Sequence, residues 1–391
     1  MRSSSFITPI LGAVLLMAGG GYGLWYVTKP PVPPSVELVT PKLAMEPLDE
    51  LHSKPLYFTL GAVAWMKEHW VPWGAAFGTQ AASPEDMALQ FEAAAQSPQE
   101  WRALDRKWHF GAVLLAGDPT TFHPLLDHLR QSQDWTLTRL DTAGFVFERS
   151  PARAWTVADV KPVLAAFETH SPKEQREARV AIARRLIFLG EMTGAKTLLA
   201  EVLKNDSESA PAWTEMASLY ALQGQWQQSL KATESALAVD KRYRPAQFIQ
   251  ANAFYAHGRF GDALTVTHVL YEVAPADAQT LLLHAKVTHA AHAFGEEIEV
   301  LQRMIGLMKG RSQPVGVWQI LLGQAYAATG AGPLAEDQFK EALTDRSLSA
   351  SDRAYAQKAL ERVGTATQGD MLNNVPAFKQ SSLLDVPDYR P

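Results

Sequence analysis

The chain has 391 residues, 47% of them hydrophobic and 20% charged, enough apolar material for packed cores and a length that suits two or three domains. A formal net charge of −5 without any Lys/Arg-rich run excludes a general nucleic-acid binder. The lack of cysteine excludes disulfides, a thiolate nucleophile and Cys-ligated zinc.

Residues 6–27, "FITPILGAVLLMAGGGYGLWYV", are 22 residues without a charge between Arg2 and Lys29. A helix of that length spans about 33 Å, sufficient for a hydrocarbon core of about 30 Å. Trp25 and Tyr26 stand at its end, where amphipathic rings favour the membrane interface. The segment reads as a transmembrane anchor over residues 1–28. The alternative is a signal peptide cleaved near Ala18–Gly20, and both readings export the remainder. Arg2 and the terminal amine, against Lys29 and Lys42, place the N-terminus inside and the bulk of the chain outside the cytoplasm, in the bacterial periplasm. Gly19 and Gly23 have a spacing that permits close helix pairing, so self-association stays open. Residues 29–47 are Pro-rich and extended, a spacer from the bilayer.

Residues 48–150 read as a small α/β domain. Ser83 caps a helix over 87–96, with Asp86 at the capping-box position. "HFGAVLLAG" (109–117) is a buried strand ending at Gly117, Asp118 and Pro119, and 122–132 is an amphipathic helix. "WTLTRLD" (135–141) and "AGFVFERS" (143–150) alternate about a turn, the pattern of a β-hairpin. Trp108, Gly111–Leu115, Leu125–Leu129, Asp134, Trp135, Leu140, Asp141 and Val146–Arg149 form a pattern that resembles the small soluble domain of some bacterial membrane glycosyltransferase-like proteins. That resemblance transfers no catalytic residue, because those enzymes do their chemistry in a membrane part that is missing here. Residues 151–175 are a connector.

From residue 176 the chain is helical and periodic. With Ala210 as position one of a 34-residue unit, Trp213, Ala217, Tyr220, Gly224, Ser229 and Ala236 fall at positions four, eight, eleven, fifteen, twenty and twenty-seven. One period on come Ala251, Phe254, Gly258, Ala263 and Pro275; one period back come Ala183, Leu186, Gly190 and Ala195. A fourth unit from Ala278 is degenerate, with Glu297 at position twenty. A fifth is clear again, with Gly323, Tyr326, Gly330, Ala335 and Phe339. The pattern resembles the tetratricopeptide repeat family over 176–363: antiparallel helix pairs with small residues where backbones approach. The fold class is therefore mainly α: an α-solenoid of about five helix pairs with a capping helix over 351–363. The α/β domain and one transmembrane helix precede it. Residues 364–391 read as an extended tail.

In that family the first helix of each unit lines the concave face, through positions two, five, nine, twelve and thirteen. Carried onto this chain these are Arg184, Ile187 and Phe188; Thr214, Ser218 and Leu222; Phe248, Asn252 and Tyr255; Leu282, Lys286 and His289; Ile320 and Gln324. Position nine runs Arg184, Ser218, Asn252, Lys286, Gln324, a row of polar donors that suits an extended peptide. The carboxylate clamp of chaperone-binding members is not reproduced.

The expected function is a membrane-anchored scaffold that binds a protein or peptide partner in the groove, within an extracytoplasmic envelope assembly. The expected partner-binding residues are Arg184, Thr214, Ser218, Phe248, Asn252, Tyr255, Lys286, His289 and Gln324. The alternative is an accessory factor in envelope polysaccharide synthesis, holding a glycan or glycosyltransferase through the α/β domain. Trp65, Trp70 and Trp73 would then form a stacking platform. No dinucleotide fingerprint, P-loop or nucleophile elbow occurs, so no catalytic residue, cofactor or enzyme activity is expected. His284, His289 and His292 lack the H-E-x-x-H arrangement, and His123, Asp127 and His128 have no nucleophile beside them. Both groups read as structural, with no metal.

Overall fold

A computed structural model describes residues 55–63, 66–67, 83–149, 151, 153–310 and 313–365. The proposed anchor (6–27), the Pro-rich spacer, Trp65, Trp70 and Trp73, and the tail from 366 lie outside the described residues. No helix among the described residues is long and apolar enough to cross a membrane. The chain divides into two compact units between Ala246 and Gln247.

The first unit opens with the α/β domain: β1 (Leu56–Phe58), α1 (Pro84–Gln96), α2 (Pro98–Trp108), β2 (Ala112–Ala116), α3 (His123–Gln131), β3 (Trp135–Leu140) and β4 (Gly144–Arg149). The sheet order is β1-β2-β4-β3, with β1 parallel to β2 and the other pairs antiparallel. Every residue of β1 and β2 is buried, which is why the sequence there reads as an apolar run and not as an alternation. Ser83 accepts from the Asp86 amide at 3.1 Å, and Ser97 from the Glu100 amide at 3.3 Å. With a proline after each serine, two helices begin back to back. Tyr57, Phe91, Trp101 and Phe110 form one aromatic nucleus, Tyr57 edge-on to Trp101 at 5.0 Å and Trp101 stacked on Phe110 at 5.7 Å. Such pairs add about 0.5–1.5 kcal/mol each beyond burial.

After the short α4 (Val160–Ala165), the repeats begin with α5 (Pro172–Phe188) and α6 (Met192–Asn205), then α7 (Ala210–Leu222) and α8 (Trp226–Val239). Helix α9 (Arg244–Ala256) crosses the division, followed in the second unit by α10 (Phe260–Val273), α11 (Ala278–Ala290) and α12 (Phe294–Gly310). Then come α13 (Gly316–Ala328), α14 (Gly332–Thr344) and the closing α15 (Ala350–Thr365). Helices α7, α9 and α11 open at Ala210, Arg244 and Ala278, which reproduces the 34-residue period. Ala217, Ser229 and Ala236 are fully buried, the reason small residues recur there. Gly190, Gly224, Gly258 and Gly330 end the first helix of four pairs with φ between 69° and 80°, a conformation glycine adopts without a Cβ penalty. In the degenerate fourth pair the same position is His292, with φ 54°.

Candidate functional site

In the first unit the expected ligand-facing positions are already occupied. Arg184 on α5 reaches the loop after β2, where Nη2 donates to both carboxylate oxygens of Asp118 at 3.1 Å. Asp118 is itself held by its turn, accepting from the Thr120 amide at 2.9 Å. Next to it, the buried Arg185 donates to the Gly117 carbonyl at 3.3 Å. In return Arg130 of α3 donates to the Phe188 carbonyl at 3.1 Å, and His123 lies edge-on to the Phe188 ring at 5.5 Å. Ile187 and Phe188, expected on an open wall, belong to the same continuous core as β1, β2, α1 and α3. The inner side of the first pair is thus the seat of the α/β domain.

Glu215 on α7 completes this cluster, 3.8 Å from Arg184 Nη1. Burial pushes its carboxyl up to about 7 against the pull of Arg184 and Arg185, and burial draws Arg185 down to about 10. Thr214 and Ser218 are buried, and their hydroxyls donate to the Ala210 and Thr214 carbonyls of their own helix at 2.8 and 3.1 Å. Neither offers a donor to a ligand. Arg184 thus faces the α/β domain, and the Thr214 and Ser218 hydroxyls bond back along α7.

The second unit presents a different surface. Phe248, Asn252 and Tyr255 recur at i, i+4 and i+7 on α9, one helix face, and all three are half-buried. Phe248 and Tyr255 rest on a small core of Ala251, Ala263, Leu283 and Val287. The Lys286 ammonium of α11 lies over the Tyr255 ring at 4.5 Å, a cation–π pair. Asn252 Nδ2 donates to the Phe248 carbonyl at 3.0 Å, and Gln324 Nε2 to the Tyr355 hydroxyl at 2.7 Å. Ile320 is buried.

His289 differs from its neighbours in this row. Its Nδ1 lies 2.9 Å from Oε1 of the buried Glu297, whose hydrogen bond raises the imidazole above its ordinary pKa. Glu297 occupies the position where the other repeats carry a small residue, so His289 serves as its counter-group. The three histidines of this helix pair do not come together: His292 makes the turn, and His284 instead meets His268 and Glu296. Among the described residues, His268, His284 and Glu296 form the group whose ligand atoms lie within 4.8 Å of one another. Residue spacing within one helix could not reveal it, because it draws on three helices. In the α/β domain His123 Nε2 faces Asp127 at 3.5 Å.

No protein-family model matches the chain, and no curated protein matches it. Solved structures similar to it include residues 41 onward of MamA from Desulfovibrio magneticus RS-1. That match has 17% identity and a TM-score of 0.38, and covers 43% of this chain and 93% of that one. They also include YrrB, a tetratricopeptide protein with an unusual peptide-binding site (15%, TM-score 0.43, 50% and 96%). A third is TTC0263, a thermophilic tetratricopeptide protein of Thermus thermophilus (19%, 0.33, 48% and 99%). Likenesses at these TM-scores carry no argument about this chain.

Proposed function

We propose that this chain is a tetratricopeptide-type scaffold that docks a protein or peptide partner on the first-helix face of its second unit. A leading membrane span (6–27) would tether it, with its bulk outside the cytoplasm. The observation that carries the docking face is the Tyr255–Lys286 pair beside half-buried Phe248 and Asn252. Half-exposed aromatic rings next to a cation and an amide supply contact area, a charge for a carboxylate and hydrogen bonds for a backbone. Gln324 extends the same row. Thr214 and Ser218 are not included because both are buried, and Arg184 because the α/β domain's Asp118 already occupies it. The tether rests on the uncharged 22-residue run and its flanking Trp25, Tyr26 and Lys29.

The test is site-specific photocrosslinking of the full chain in its native membrane. A photoreactive side chain at position 286 gives a discrete adduct that weakens at least tenfold when Asn252→Ala is added. The same probe at Val269, exposed on α10, gives none. Equal adducts from 269 and 286, or an adduct indifferent to Asn252, would remove the face from consideration.

A further inference from the structure

Three helices of the second unit converge on one carboxylate oxygen. His268 Nδ1 (α10) lies 2.6 Å from Glu296 Oε1, and His284 Nε2 (α11) lies 2.9 Å from the same atom at the start of α12. The proton positions follow from the surroundings. Thr267 spends its hydroxyl hydrogen on the Leu264 carbonyl at 3.2 Å, so its oxygen is left to accept from His284 Nδ1 at 2.9 Å. A neutral His284 then carries its lone pair on Nε2. That atom is wholly buried, has no partner of hydrogen-bond geometry, and lies 2.9 Å from Glu296 Oε1.

The second imidazole approaches the same carboxylate from the solvent side. Glu272, one turn on, lies 3.3 Å from His268 Nε2, so this imidazole sits between two carboxylates, with Nδ1 hydrogen-bonded to Glu296 Oε1 at 2.6 Å. Each histidine thus has one nitrogen beside an outer oxygen, of Thr267 or Glu272, and the other within 3 Å of the shared carboxylate. Outer hydrogen bonds of this kind orient histidine ligands in metal sites. Tyr271 stacks on His284 at 4.9 Å and 29°, fixing the ring plane.

We propose that His268, His284 and Glu296 bind a divalent transition-metal ion, zinc foremost, that staples α10, α11 and α12 together. Two imidazoles and a carboxylate match the borderline-soft donor set of zinc. Bonds of about 2.0–2.2 Å around a tetrahedral ion set the donors about 3.4 Å apart. The two imidazole–carboxylate gaps, 2.6 and 2.9 Å, must therefore widen by about 0.5–0.8 Å, and the half-exposed His268 and Glu296 have room to do so. The solvent side of His268 supplies a water as fourth ligand. The staple lies where the period is weakest: the third and fourth pairs meet here, and the fourth has lost its turn glycine. Metal held only by the folded state adds to stability by mass action.

The experiment is titration of the full, chelator-treated chain with Co(II) and then Zn(II). The expected result is one equivalent of Co(II) with the intense visible bands of low-coordinate cobalt, bleached by one equivalent of Zn(II), and a higher thermal midpoint with Zn(II). His268→Ala, at an exposed position, keeps the helical circular-dichroism signal but binds at least a hundredfold more weakly and loses the thermal shift. Glu296→Gln does likewise, and Glu272→Gln weakens binding about tenfold. Absence of stoichiometric uptake at micromolar Co(II), or undiminished uptake by His268→Ala, would overturn the site.

Discussion

Arg184 and Asp118, 66 residues apart, form a two-oxygen ion pair at 3.1 Å that ties the first repeat helix to the loop after β2. The pair is part-exposed and belongs to a cluster with Arg185 and Glu215, so its worth exceeds that of an isolated surface bridge. A double-mutant cycle with Arg184→Ala and Asp118→Asn should give single costs of about 1–3 kcal/mol and a coupling near 1–2 kcal/mol. Strictly additive costs in chemical denaturation would mean that the two side chains do not hold the domain to the repeats.

Glu215 sets a pH dependence. Its folded pKa, about 7, lies above the ordinary carboxylate value of 4.5, so the folded state holds this proton more tightly than the unfolded state. The associated stability is fully present below about pH 4.5 and is lost as pH rises through 7, by roughly 3 kcal/mol. Glu215→Gln should therefore be more stable than wild type at pH 8 and nearly equal to it at pH 4.5. Parallel stability curves for the two proteins between those pH values would contradict the burial of this carboxyl.

His292 carries a left-handed backbone that the other described turns of its kind give to glycine. His292→Gly relieves that conformation at a solvent-exposed site and should stabilise the chain by about 0.5–1 kcal/mol. A loss of stability in thermal melts would show that the imidazole makes a compensating contact.

Gly323 makes the opposite prediction. A Cβ there would lie 2.8 Å from Cε1 and 3.0 Å from Cδ1 of the buried Phe339. Helix propensity alone favours Gly323→Ala by about 1 kcal/mol, but overpacking costs about 1–3 kcal/mol, so the variant should be net destabilised. Phe339→Leu in the same chain should offset part of the loss. A stabilised Gly323→Ala would mean a wider contact between α13 and α14.

Much of the architecture is legible in residue spacing because helix-pair repeats are governed by local rules. Small residues must recur where helices touch, and glycine where the turn needs positive φ, so Ala217, Ser229, Gly224 and Gly258 announce the register without any tertiary knowledge. The hairpin over 135–150 is read from alternation for the same reason. Two elements of the α/β domain leave little trace in residue spacing: β1 is only three residues long, and α2 starts two residues after α1 ends, with no loop between them. Ser97 and Pro98 repeat the Ser83-Pro84 start, and the repetition was available in the sequence.

The binding row is legible only in part, since position nine fixes a helix face but not what covers it. Arg184 and Ser218 share that position with Asn252 and Lys286, yet the α/β domain lies against the first pair and α7 bonds to its own hydroxyls. His289 likewise faces the expected way but answers a buried Glu297 contributed by the next helix. Long-range charge placement of this kind leaves no periodic trace.

The chain has no native cysteine, so single-cysteine variants report accessibility without background. Thiol labelling of Ser218→Cys and Lys286→Cys in the folded full chain tests most directly whether the repeat face is closed in the first unit and open in the second. Position 286 should react at nearly the rate of the unfolded chain, and position 218 roughly a thousandfold more slowly, an opening cost of about 4 kcal/mol. Equal fast labelling at both positions, or protection of 286 with reactivity at 218, would contradict that account.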